Sequence, residues 1–122
     1  LMAILSRHPF SGSSNGKAIS ILDSDPGQVI HTVSTATAVK DTIYLWINNL
    51  STTENRFINI QFGGTDSNDR ITFSVPPSDG LHAVIPGLTL VGGTSTGSGI
   101  IVRCYGTATN NVKVHGYVDR AS

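Results

Sequence analysis

The sequence predicts an all-β fold: a single-domain antiparallel β-sandwich, jelly-roll-like, with an extended N-terminal arm. About seven or eight short segments alternate apolar and polar residues with a period of two, which buries one face of each strand. No apolar pattern of period 3.6 runs for the length of a helix. Runs of Gly, Pro, Asn, Asp and Ser separate the segments, which recur roughly every 10 to 15 residues, near the spacing of sandwiches and barrels. A jelly roll is favoured over an immunoglobulin-like sandwich because Cys104 has no partner cysteine. The division expected is an arm over residues 1–16 and a β-sandwich domain over residues 17–122.

Residues 1–16 do not read as a core strand. Pro9 restricts the backbone, and Ser11-Gly12-Ser13-Ser14-Asn15-Gly16 loosens it. Met2, Ile4, Leu5 and Phe10 are apolar enough to dock on a neighbour, the alternative being a frayed terminus. Lys17 to Asp23 then places Ile19 and Ile21 on one face, and Asp23-Ser24-Asp25-Pro26-Gly27 is turn chemistry. Gln28 to Ser34 puts Val29, His31 and Val33 on one side and Ile30 on the other. The clearest strand is Asp41 to Asn48, with Ile43, Leu45 and Ile47 opposite Tyr44 and Trp46. Arg56 to Phe62 and Arg70 to Val75 read as a hairpin, ended by Pro76-Pro77. Leu81 to Ile85 and Leu88 to Val91, split by Pro86-Gly87, suggest a bent edge strand. Ile100 to Tyr105 and Val112 to Val118 read as a closing hairpin.

Composition narrows function. Eight basic and eight acidic side chains give a formal net charge of zero, with no Lys/Arg run, which argues against a nucleic-acid partner. Only 13% of residues are charged, so part of the surface is expected to meet protein. No segment has the roughly 20 apolar residues of a membrane-spanning helix, and the apolar start is too short for a signal core. No membrane partner is expected.

Chemistry-bearing residues are few and scattered. His8, His31, His82 and His115 lack the close spacing that aims two imidazoles at one ion, and surface or interface positions are expected for them. Asp23-Ser24-Asp25 and Asp66-Ser67-Asn68-Asp69 echo a calcium loop. Counting from each, however, positions six and twelve are Gln28 and Ser34, or Ile71 and Pro77, where an EF-hand needs Gly and Glu. Cys104 shares an alternation with Ile100 and Val102 and reads as a buried small hydrophobe rather than a thiolate nucleophile. Glu54 is the only Glu, and the Gly92 to Gly99 stretch lacks the Lys of a phosphate loop. The reading is a non-enzyme with no catalytic residues, no metal and no cofactor.

One constellation remains. By alternation Tyr44 and Trp46, Arg103 and Tyr105, and Lys113, His115 and Tyr117 all face away from the core. Aromatic and Arg side chains are enriched at protein interfaces. The alternatives are a crossing loop that covers them, or a platform on which sugars stack.

The runs ITFSVPPSDGLHAVIPGLTL (71–90) and GIIVRCYGTATNNVKVHGYVDR (99–120), with the closing phrase Val114 to Arg120, resemble small virion structural proteins of tailed bacteriophages. The resemblance covers about the C-terminal half. It implies a capsid decoration or cement protein, assembled in the host bacterial cytoplasm and located in the virion. It further implies a homo-oligomer, with a trimer favoured, bound to the major capsid protein or another virion protein. A tail or head–tail structural subunit fits the same resemblance, and a carbohydrate-binding module or adhesin is the competing class. No site residues transfer with it.

Overall fold

The computed structural model describes residues 5–94, 99–107 and 111–122. These described residues contain nine strands: β1 (Leu5–Pro9), β2 (Ile19–Ser20), β3 (Gln28–Thr32), β4 (Lys40–Asn49), β5 (Arg56–Phe62), β6 (Arg70–Val75), β7 (Leu81–Val91), β8 (Ile101–Gly106) and β9 (Val112–Ala121). Apart from one 3-10 turn at Ser67–Asp69, no helix occurs among the described residues.

The strands form two antiparallel sheets. The first runs in the order β1-β9-β4-β7, with β2 also paired to β9. The second runs in the order β3-β8-β5-β6. Both contribute to one core: Ile43, Leu45, Ile47, Val114 and Val118 from the first sheet meet Ile30, Ile58, Ile60, Val102 and Cys104 from the second. Each side chain is fully buried, as the period-two pattern requires. At roughly 25 cal/mol per Å² of apolar surface, removal of these faces from water is the main force joining the sheets.

The predicted hairpin of β5 and β6 forms, from Arg56 opposite Val75 to Gln61 opposite Arg70. The bent edge strand also forms, as one continuous β7 with two register shifts against β4. The closing hairpin does not. β8 lies between β3 and β5, whereas β9 lies between β1 and β4 in the other sheet. Alternation reports that a strand has a buried face, but both sheets bury theirs in the same core.

The N-terminal expectation is corrected for residues 5–12. Leu5–Pro9 add to the first sheet, from Leu5 opposite Ala121 to Pro9 opposite Tyr117. Phe10 is only 2% exposed and belongs to the chain's own core rather than to a docking arm. The cause is Gly116: a Cβ there would come within 2.8 Å of the Phe10 ring, so the missing side chain makes room for it. Leu5 remains 79% exposed, and Met2 and Ile4 lie outside the described residues. After Phe10 the chain crosses to the second sheet, where the Gly12 amide donates to the Ile30 carbonyl (2.9 Å).

Strand β3 brings a second correction. Its register against β8 shifts between Val29 and His31, so Ile30 and His31 both turn inward. A bulge of this kind breaks strict alternation. His31, expected at a surface, is 1% exposed.

Candidate functional site

The outer face of the first sheet gathers four of the expected contact residues. In β4 the buried residues Asp41, Ile43, Leu45 and Ile47 alternate with half-buried Thr42, Tyr44, Trp46 and Asn48. In β9, Val112, Val114 and Val118 point inward while Lys113, His115 and Tyr117 take the other face. The register sets Tyr44 opposite Tyr117 and Trp46 opposite His115. The two tyrosine rings stack with centroids 4.9 Å apart and planes at 23°. Trp46 lies 5.9 Å from Tyr117. From β1, on the other side of β9, the Arg7 guanidinium sits 4.2 Å from the centre of the Tyr117 ring.

Tyr117 is therefore held between a cation and a ring. Arg7 donates from Nε (2.8 Å) and NH2 (3.2 Å) to the two Asp119 oxygens, which holds the Asp119 carboxyl below its ordinary range. Tyr44 in turn lies over Gly87 of β7, where a Cβ would come within 3.0 Å of the ring. The Tyr44–Tyr117 stack contributes about 0.5–1.5 kcal/mol beyond its burial. Among the described residues, no strand pairing or hydrogen bond brings another segment across this face.

Arg103 and Tyr105, expected on the same surface, lie on the opposite sheet. There the chain covers its own surface. Leu22 forms a parallel bridge to Tyr105, and Arg103 donates to the Gly27 carbonyl (3.3 Å). The Gly27 amide donates to Gln61 Oε1, and Gln61 Nε2 donates to Asp25 Oδ1, both at 2.9 Å. Gln61 is consequently fully buried although it points away from the core. Gly27 is required there, because a Cβ would run into the Cys104 backbone. The single expected surface is thus two: an aromatic face on the first sheet, and a face on the second that the segment from Leu22 to Gly27 covers at Gln61 while Phe57 stays 57% exposed.

Between the sheets lies a polar cluster that alternation alone did not assemble. Asp41 is fully buried and receives a two-pronged bond from Arg120, with Nε and NH2 each 2.8 Å from a carboxylate oxygen. His31 Nε2 lies 2.7 Å from Asp41 Oδ2, and the Ser11 amide donates to His31 Nδ1 (3.0 Å). Since Nδ1 accepts, the ring proton must sit on Nε2 and donate to Asp41. Burial would push the Asp41 carboxyl up, but Arg120 and His31 bring it below its ordinary value. Burial lowers His31 below its ordinary value, against the pull of Asp41.

Ser11, His31 and Asp41 resemble a hydrolytic triad in composition but not in geometry. The Ser11 hydroxyl accepts from the Thr32 amide (2.7 Å), and its backbone, not its oxygen, meets the imidazole. A nucleophile needs the opposite arrangement. The Cys104 thiol is buried and pushed up to about 12, which leaves it protonated at neutral pH. Among the described residues no group of three or more His, Cys, Asp or Glu is placed to hold a metal ion. A cleft of about 180 Å³ opens between β6 and β7, lined by Ile71, Phe73, His82, Ala83 and Val84. It is smaller than the usual small-molecule site of about 300–1,000 Å³.

The buried cluster did leave a trace in the sequence. Asp41 shares the inward alternation of Ile43, Leu45 and Ile47, and a carboxylate at a core position demands a cation. Which cation answers it depends on the β4–β9 register, where Asp41 sits opposite Arg120. No family model, no curated protein and no solved structure matches the chain.

Proposed function

We propose that this chain is a non-enzymatic structural protein, a jelly-roll-like β-sandwich that works by protein contact through the outer face of its first sheet. Its setting, on the phage resemblance, is the virion of a tailed bacteriophage. There it would serve as a decoration or cement subunit, assembled as a homo-oligomer on the capsid lattice.

The observation that carries the contact reading is the packing of Tyr44, Trp46 and Tyr117 on an uncovered sheet face. Tyr117 has Arg7 on one side and Tyr44 on the other, and Tyr44 also lies against Gly87. A sugar stacks on a free ring face, and these two tyrosines offer little of one. What they offer outward is a stiff row of ring edges and hydroxyls. That suits a protein interface, where rigid amphipathic side chains bury area at low entropic cost.

The test is size-exclusion chromatography with light scattering, together with binding to expanded capsids that lack the protein. A defined oligomer that binds such capsids, and loses binding in Tyr117→Ala, is the expected result. A strict monomer that ignores the capsids overturns the reading. Glycan binding that Trp46→Ala abolishes would replace it with the carbohydrate class.

A further inference from the structure

The cluster around His31 ties the N-terminal segment to the rest of the molecule, and its hydrogen-bond polarity admits only one protonation state. The ring is faced by Asp41 of β4, Arg120 of β9, His8 of β1, Phe10 and the Ser11 amide. Asp41 is already matched by the two-pronged guanidinium of Arg120, so the cluster's net charge is zero with His31 neutral. The Nδ1 lone pair is the acceptor for Ser11. A proton there would set two N–H groups against each other at a separation of 3.0 Å.

We propose that His31 is a proton-operated latch: one solvent proton taken up at Nδ1 expels the Ser11 amide and frees β1, with the Phe10–Gly12 crossing, from β9 and β3. The crossing is held to β3 by few bonds. Besides the Ser11 amide to His31, the Thr32 amide donates to the Ser11 hydroxyl and the Gly12 amide to the Ile30 carbonyl. The Phe10 ring packs 5.9 Å from the imidazole and over Gly116, so displacing Ser11 unseats it too. Release converts a docked strand into a free N-terminal arm and uncovers the β9 edge, which could then pair with another chain. Release also withdraws Arg7 from Tyr117 and Asp119 on the outer face, although the latch itself rests on the buried cluster alone.

The sign follows from the neutral buried ring. His31 is lowered from its ordinary value of 6.5, so the released state binds the proton more tightly than the latched state. The latch is at full strength above about 6.5. It weakens as pH falls through the window between that value and the lowered one, by about tenfold in the opening equilibrium per pH unit.

Amide hydrogen exchange of the full chain from pH 7.5 to 4.5, corrected for intrinsic rates, tests this. Protection across Ser6 to Gly12 should fall by up to tenfold per pH unit below about 6.5, while Ile43, Leu45 and Ile47 of β4 keep theirs. His31→Gln supplies an acceptor and a donor that cannot take up a proton, and should flatten the pH dependence. His8→Gln should leave it intact. Constant β1 protection, simultaneous loss in β1 and β4, or an unaltered pH profile in His31→Gln each overturns the proposal. Should His31→Gln fail to fold, nitrogen shifts of His31 in the wild type decide. A midpoint coincident with β1 release supports the latch, and separate midpoints refute it.

Discussion

The two sides where the sheet edges meet are built on opposite principles. On one side, β1 and β3 are joined by the chain itself: Phe10 fills the gap above Gly116, and His31, Asp41 and Arg120 satisfy one another beneath it. On the other, β6 and β7 face each other across an apolar cleft, and no backbone hydrogen bond joins those two edges among the described residues. Leu81, Leu88 and Val91 of β7 are 59%, 45% and 49% exposed. The closed side buries polar groups, and the open side exposes apolar ones. What protects the open edge is irregularity: two register shifts and Pro86, which has no amide proton to offer a partner strand. Continuity of the chain stabilises one side, while the other depends on remaining a poor template.

That contrast is broken most directly at Phe10. If the ring belongs to the closed side's core, Phe10→Ala should cost the isolated subunit about 3–5 kcal/mol in urea unfolding. A melting point unchanged by the substitution would place the ring on a neighbouring molecule instead. Asp41→Asn ranks next, because it leaves Arg120 and His31 facing a neutral amide. Its expected cost is about 2–3 kcal/mol at pH 7, by the same measurement. The difference from wild type should shrink at low pH, since Asp41 contributes stability only while ionised. Its lowered value puts that loss below the ordinary carboxylate range near 3.8.

How much of this was legible in the sequence follows the same division. Strand β4 could be read residue by residue, because ten residues alternate without interruption and no loop crosses their outer face. The outward placement of Tyr44, Trp46, His115 and Tyr117 came with it. The closed side could not be read, for three local reasons. Gly116 makes a cavity for Phe10, but a glycine in a strand does not announce which ring will fill it. The bulge at Ile30 turns Ile30 and His31 the same way, inward, where the count puts them on opposite faces. The partnership of Asp41 with Arg120 joins residues 79 positions apart. Arg103 and Tyr105 make a related point: alternation aimed them outward correctly, but it could not show that the segment from Leu22 to Gly27 would bond to both. Periodicity describes one strand at a time, and register and crossings are properties of pairs.

The smallest effect on stability is expected on the open side, and it separates folding from association. Leu81 and Leu88 already meet water, so Leu81→Ser and Leu88→Ser should each change the unfolding free energy by no more than about 0.5 kcal/mol. Both lie on the edge strand β7, whose His82, Ala83 and Val84 line the cleft with Ile71 and Phe73, and with Val91 they leave exposed apolar side chains along that strand. A patch of that kind on a subunit is either covered in the assembly or a liability outside it. If a neighbouring subunit covers it, the double substitution should shift the oligomer toward monomer in light scattering while the melting point of the subunit stays put. An unchanged oligomer would assign association to the aromatic face alone. The open edge would then be a surface kept from pairing by its bulges and Pro86.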